Sequence, residues 1–254
     1  MHDLVSIIMP SYNTARYIAD SIRSVQAQTY KNWELLIVDD CSTDGSDDVV
    51  APFLSDARIR YLKNEVNSGA ALSRNYALRE AKGRWIAFLD SDDLWHPEKL
   101  ERQILFMEKE NCHFSYTYYQ EIDEASQPLG VTVQGPCHIT KAGMLRFCWP
   151  GCLTVMYDAQ EIGLLQIPDI RKNNDYAMWL YVISKADCYL LPEILASYRR
   201  RSGSISNQSY IKLIKWHYRL FRQVRKESAC LSIVHTAGNL VFGVYKKIRY
   251  VKHA

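Results

Sequence analysis

Along the first half of the chain, short apolar runs alternate with stretches where apolar residues recur every three or four positions. Residues 5–9 form an apolar run closed by Pro10, the pattern of a short buried strand. Ile18, Ile22 and Val25 follow at helical spacing. Residues 33–38 are the next apolar run, closed by Asp39 and Asp40. A polar turn over residues 42–48 leads into a further apolar stretch at 49–54, and residues 59–62 predict a third strand. Ala71, Leu78 and Ala81 line a helix that starts near Ser68. Residues 85–89 predict a fourth strand, closed by Asp90, Ser91, Asp92 and Asp93. Pro97 marks a first helical turn, with Leu100, Ile104 and Met107 continuing the stripe.

Strand and helix alternating at this pitch imply βαβ units and a mainly parallel sheet. In such sheets the ligand crevice lies beyond the carboxyl ends of the strands. Three of the four strands end in Pro10-Ser11-Tyr12-Asn13, in Asp39-Asp40, and in Asp90-Ser91-Asp92-Asp93. The pattern therefore brings two acid clusters and an aromatic loop to one rim.

The second half is less regular. Residues 114–119 predict a strand followed by a hairpin-like polar stretch, and 151–157 another strand. Residues 176–185 predict a helix, and 189–198 is a mixed apolar segment broken by Pro192. The expected division is a domain over residues 1–206, with a nucleotide-binding half at 1–110 and an acceptor-side half at 111–206, followed by a basic helical region at 207–254.

The length of 254 residues and a 48% hydrophobic content suit one large α/β domain with a small appendage. Seven cysteines without a Cys-x-x-Cys spacing predict reduced thiols rather than a disulfide framework or zinc site. The N-terminal residues lack a basic leader, and no stretch reaches the ~20 apolar residues needed to span a bilayer. The expected location is the cytoplasm.

Asp90 and Asp92 are the sharpest local feature. At a strand end, where the chain turns, two hard oxygen ligands can approach one Mg²⁺ or Mn²⁺, or one ion and a ribose. Such an ion neutralises charge on a diphosphate leaving group. The alternative is that these acids cap the Pro97 helix. Asp39 suits the imide N–H of a uracil, with an Asx-turn as the rival reading. Tyr12 offers an aromatic face to a base, or packs as an ordinary loop residue. Arg74 follows a helix N-terminus set by Asn67-Ser68-Gly69 and suits a base or phosphate; spacing alone makes it a surface arginine. Asp175 is a candidate general base for an acceptor hydroxyl, while the local pattern alone favours a helix N-cap. Arg199, Arg200 and Arg201 suit diphosphate oxygens or a solvated basic run.

Taken in order, six segments resemble glycosyltransferase family 2, the bacterial members with the GT-A fold. They are residues 5–13 (Val-Ser-Ile-Ile-Met-Pro-Ser-Tyr-Asn), 38–46 (Val-Asp-Asp-Cys-Ser-Thr-Asp-Gly-Ser), Asn67-Ser68-Gly69 with Ser73-Arg74-Asn75, 88–93 (Phe-Leu-Asp-Ser-Asp-Asp), Asn174-Asp175, and Tyr198-Arg199. The similar proteins build surface polysaccharides such as capsule, O-antigen or teichuronic acid. The resemblance implies a Rossmann-like α/β fold with helices on both faces of the sheet, and an inverting transfer from a UDP-sugar. It implies that Pro10 and Tyr12 frame the base, that Asp39 binds uracil, and that Arg74 flanks the nucleotide. Asn13, Gly69 and Ser91 stand among the donor-binding positions. Asp90 would contact ribose or the metal shell, Asp92 would ligate Mn²⁺ or Mg²⁺, Asp175 would be the base, and Arg199 would lie near the diphosphate. Two positions depart from the family: Asn174 stands where an acid is frequent, and Arg201 where a histidine is frequent. Rival readings are a non-catalytic nucleotide-sugar-binding protein and a glycoside hydrolase, which needs two flanking carboxylates.

The net charge of +3 hides an asymmetry: residues 199–254 hold thirteen Lys or Arg and one acid, the remainder eighteen and twenty-seven. Lys212, Lys215, Arg219, Arg222 and Lys226 fall on one face of a predicted helix, beside Ile211, Ile214, Tyr218 and Phe221. Two readings follow, peripheral attachment to the anionic inner face of the cell membrane, near a lipid-linked or saccharide acceptor, or packing on the domain. No nucleic-acid motif accompanies the charge.

Overall fold

The computed structural model describes residues 3–201 and 210–253, with the side chains of 210–212 left aside. The strands are β1 (Val5–Ser11), β2 (Trp33–Asp39), β3 (Ile59–Lys63), β4 (Trp85–Phe88), β5 (Leu94–Trp95), β6 (Phe114–Ile122), β7 (Pro128–Val133), β8 (His138–Ile139), β9 (Met156–Asp158), β10 (Cys188–Arg199) and β11 (Val251–His253). The helices are α1 (Ile18–Gln26), α2 (Ser46–Val50), α3 (Ala70–Glu80), α4 (Lys99–Lys109), α5 (Lys141–Arg146), α6 (Ala159–Ile162), α7 (Asn174–Val182), α8 (Tyr210–Arg219) and α9 (Ala229–Tyr250).

One sheet organises the chain, in the order β11-β7-β6-β9-β4-β1-β2-β3. Strands β3, β2, β1 and β4 are parallel. Beyond them β9 runs antiparallel between β4 and β6, β7 forms a hairpin with β6, and β10 runs parallel to β6. This is an α/β fold whose first half is parallel, as the block pattern predicts, and whose second half is mixed.

Both faces of the parallel part are covered, which is why its strands read as unbroken apolar runs. Successive residues point to opposite faces. Ile8, Leu36, Val38 and Phe88 pack with Leu78 and Trp179 on one side. Ile7, Leu35, Ile37 and Ala87 pack with Ile22, Leu100 and Ile104 on the other.

Several boundaries differ from the expectations. Strand β1 runs through Pro10 to Ser11 instead of stopping at Met9. It pairs β4 only as far as Ile8, so beyond that point it has one neighbour and tolerates a residue without N–H. Residues 49–54 are helical: α2 passes into a 3₁₀ turn at Ala51–Ser55. Residues 151–157 are only partly extended, a 3₁₀ turn at Cys152–Thr154 preceding β9. Helix α4 starts at Lys99, two residues after Pro97. Pro192 does not break β10; the ladder with β6 shifts register between Leu191 and Ile194 and continues to Arg199. The predicted basic helix also ends early. Helix α8 stops at Arg219, a π turn spans Leu220–Val224, and Lys226 adopts a positive φ of 56°. The five-cation face is therefore not one helical face. Ser202-Gly203-Ser204, the boundary at 206/207 and the side chains of Ile211 and Lys212 lie outside the described residues.

Candidate active site

The carboxyl ends of β1, β2 and β4 meet the N-termini of α3 and α7 and the end of β10. The rim predicted from the pattern exists, and its members are wired together.

At the end of β1, Pro10 and Ser11 are buried, while Tyr12 is 50% exposed. Asn13 takes a positive φ of 51°, which lets its Oδ1 accept from the Thr43 amide while its own amide donates to Ser42 Oγ. The β1 and β2 loops thus hold each other, with Tyr12 projecting beside them.

Asp39 and Asp40 divide their labour. Asp39 Oδ2 accepts from the Ser42 amide at 2.9 Å, the Asx-turn. Its Oδ1 is buried with no hydrogen-bond partner. Asp40 is spent on structure: its carboxylate accepts from the Ser68 and Gly69 amides and from Asn64 Nδ2. Gly69 has a φ of 85°, suited to glycine, at the turn into α3.

Arg74 is not a surface arginine. Its side chain is 6% exposed, and its Nη2 donates to Asp90 Oδ1 while Nη1 donates to Asn174 Oδ1 at 2.8 Å. Burial works against its charge, yet the neighbouring anions, Asp90 foremost, hold its pKa above the ordinary value. Its Nε is buried without a partner. Asn174, which the sequence marks only as a missing acid, is thereby the link between α3 and α7.

The cluster after β4 is graded. Ser91 Oγ accepts from Thr14 Oγ1 at 2.9 Å, and Thr14 is in turn bonded to Ser11. Asp92 Oδ2 pairs with Arg201 Nε at 2.8 Å. Burial and then Asp90 push the Asp92 carboxyl above the usual range, against Arg201 and Arg199. Asp93 accepts from the Arg199 amide, and burial holds its carboxyl well above the usual range. These acids are not caps of α4, whose N-cap Glu98 makes no side-chain cap bond.

Arg199 is 1% exposed. Its guanidinium donates to the carbonyls of Asp92, Asp123 and Glu124 and to Ser126 Oγ. It braces the β4 loop and the β6–β7 turn, and only Nη2 lacks a partner. Arg201 reaches the acid cluster at Asp92, as Arg74 does at Asp90.

Asp175 is not an N-cap either. The cap position is Asn173, at φ 57°, and Asp175 lies in the first turn of α7. Burial raises its carboxyl above the usual range, with Arg74 opposing and Asp90 adding. A further neighbour, Lys246 of α9, carries no local signal in the chain that would mark it. Its Nζ donates to the Trp149 carbonyl at 2.8 Å, and burial lowers its pKa to about 8, with Cys148 and Asp175 opposing. Cys148 and Cys152 also interact with Asp175, and burial raises both thiols well above the usual range, so neither is a thiolate at neutral pH. All seven cysteines are free thiols. Among the described residues, no three His, Cys, Asp or Glu side chains converge into a ready-made cation cage.

Comparison with known proteins agrees with this architecture. The family model for glycosyl transferase family 2 matches residues 6–143. The chain is 45% identical over 215 residues to the Escherichia coli UDP-Glc:alpha-D-GlcNAc-diphosphoundecaprenol beta-1,3-glucosyltransferase WfgD, covering 83% of this chain and 82% of that one. It is 42% identical over 225 residues to TuaG of Bacillus subtilis (strain 168), named as a teichuronic acid biosynthesis glycosyltransferase, covering 88% and 89% of the two chains. Among solved structures, S. aureus TarS in complex with UDP-GlcNAc superposes with a TM-score of 0.75 at 19% identity, covering 96% of this chain and 74% of that one. At that identity the likeness speaks for the fold, which is GT-A.

Proposed function

The chain belongs to glycosyl transferase family 2, and from that premise we propose that this glycosyltransferase moves a sugar from a UDP-sugar to a hydroxyl of a lipid-linked or saccharide acceptor, with inversion, in bacterial surface polysaccharide synthesis. The observation that carries the reading is the clamp made by Arg74. It ties Asp90, at the end of β4, to Asn174, the residue before Asp175. In this reading the clamp holds the donor side and the base side of the reaction together, which supports a near-attack geometry.

Each residue has work to do in this reading. The unpartnered Asp39 Oδ1 accepts the imide N–H of uracil, and Tyr12 covers the base. Asp175 accepts the proton of the acceptor hydroxyl as it attacks the sugar. Its raised carboxyl pKa makes it a stronger base than an exposed aspartate. Arg201 pairs with Asp92 as Arg74 pairs with Asp90, and Arg199 fixes the loops that carry the acid cluster.

A divalent cation, Mn²⁺ or Mg²⁺, belongs to the proposal. Magnesium sites of this kind use one or two carboxylates together with substrate phosphates rather than an all-protein cage. Asp90 and Asp92 fit that donor set: they are two hard carboxylates whose mutual repulsion helps raise the Asp92 pKa. Asp92 would hold the ion with Asp90 in its shell or on the ribose, and the ion would supply positive charge to the departing diphosphate.

The relatives' names motivate the donor and acceptor: WfgD is named for UDP-Glc and for a diphosphoundecaprenol-linked GlcNAc. The test is a screen of UDP-sugars by thermal shift with and without Mn²⁺, followed by turnover with a polyprenyl-diphosphate sugar. Ligand binding should raise the melting temperature by mass action. Failure of every UDP-sugar to bind would overturn the donor assignment.

A further inference from the structure

Helix α9 turns polar residues inward along its first three turns, and Phe242 adds an apolar contact, to Trp149, further along its inner side. Its buried residues are Ser232, Thr236 and Asn239. Asn239 Nδ2 donates to the Leu145 carbonyl, and Lys246 donates to the Trp149 carbonyl. The outward face carries Leu231, Val234, Val241, Val244, Tyr245 and Ile248, with Val234 63%, Val241 66% and Ile248 76% exposed. A helix of a water-soluble domain shows the opposite arrangement.

The exposed apolar surface is concentrated here. Of the sixteen exposed large apolar side chains among the described residues, seven lie on α9, and most of the others stand singly on separate elements. The outward face continues into an apolar groove of about 230 Å³ between α8 and α9, lined by Ile214, Tyr218, Ile233 and Leu240. Contiguous apolar patches of this kind mark an interaction surface rather than ordinary exterior.

Charge identifies the occupant. Lys247, Arg249 and Lys252 are exposed at the C-terminal end of the same helix and in β11. Residues 228–254 contain no Asp or Glu. An apolar face flanked only by cations is complementary to a surface that is apolar below and anionic above. No described helix is long and apolar enough to cross a membrane, so the fit is to the interface plane.

We propose that α9 lies in the surface of an anionic phospholipid bilayer, with its Leu231–Ile248 side in the acyl boundary and Lys247, Arg249 and Lys252 among the headgroups. The face differs from the α8 stripe that the sequence suggests. The inference stands whichever sugar is transferred.

The experiment is flotation of the full chain with vesicles of phosphatidylcholine alone and of phosphatidylcholine with phosphatidylglycerol. The chain should float with the anionic vesicles and much less with the neutral ones, and salt should weaken the binding. The double variant Val241→Glu/Ile248→Glu should lose at least about tenfold in partition. Lys247→Ala/Arg249→Ala should lose roughly fivefold per cation on anionic vesicles only. An unchanged melting temperature and an unchanged shift with UDP would show that the variants are folded. Wild-type protein staying at the bottom of the gradient at low salt would overturn the proposal, as would equal flotation of the Glu variant. A vesicle-free dimer by light scattering that Val241→Glu/Ile248→Glu dissolves would also overturn it, because the face would then pair copies of the chain.

Discussion

The guanidinium of Arg201 sits on the carboxylate of Asp92, with Nε 2.8 Å from Oδ2. A cation bound by Asp92 competes with Arg201 for the same oxygens. Arg201→Ala should therefore tighten Mn²⁺ binding to the UDP complex by roughly two- to fivefold, the worth of a partly buried ion pair. Titration of Mn²⁺ followed by electron spin resonance measures it without turnover. Unchanged Mn²⁺ affinity would separate Asp92 from the metal. Removing divalent ions with a chelator should suppress transfer by the wild type.

Asp175→Asn should retain the UDP-induced thermal shift and lose transfer by about 10²–10⁴-fold, the range of general-base catalysis. The pH profile follows from the direction of the Asp175 shift. Burial raises its carboxyl, and the base works only when ionised, so the acid limb of kcat should lie above the ordinary aspartate range. Arg74 opposes that rise, so Arg74→Gln should move the limb to higher pH. A limb that stays in place would dissociate Asp175 from the titration.

Asp39→Asn tests the uracil contact with an isostere. One amide oxygen still serves the Ser42 amide, but the orphaned position becomes a donor facing a donor. The affinity for UDP should fall by about ten- to a hundredfold, as for a lost hydrogen bond to a charged group. Calorimetric titration of UDP reads it directly.

Lys246 makes a prediction about stability. Burial lowers its pKa to about 8, below the 10.5 of an exposed lysine. Between those values the unfolded chain binds more protons than the folded one, so this residue's contribution to stability rises with pH across that window. Lys246→Met should remove that rise, a difference of about 1–3 kcal/mol between pH 8 and 10.5. Urea unfolding of both proteins at each pH measures it.

Gly83→Ala should destabilise the fold without touching the site. A Cβ there would lie 2.5 Å from the Ser6 amide nitrogen and 2.7 Å from the Leu4 carbonyl oxygen, both backbone atoms of the adjoining β1 region. Overpacking of this kind costs about 1–3 kcal/mol, visible as a lower urea midpoint.

The parallel half of the fold was readable because it is a matter of local periodicity. Apolar runs at 5–9, 33–38 and 85–89 became β1, β2 and β4, since strands covered on both faces can hide nothing else. The acids at their ends were readable as a rim for the same reason: strand direction alone places them. The second half resisted because its pairings are long-range. Cys188–Arg199 became one strand across Pro192 because β6 lay alongside to hold the shifted register.

Residue identity along the chain fixed the fold class, the rim and the family of this protein, all of which depend on short-range order. Packing decided the rest. It buried Arg74 against Asp90 and Asn174, spent Arg199 on backbone carbonyls, set Arg201 on Asp92, and brought Lys246 from the far end of the chain toward Asp175. Whether an arginine is a solvated charge or a buried clamp depends on which distant groups surround it. No spacing rule encodes that, because desolvation and partner geometry are properties of the folded volume and not of the neighbouring residues.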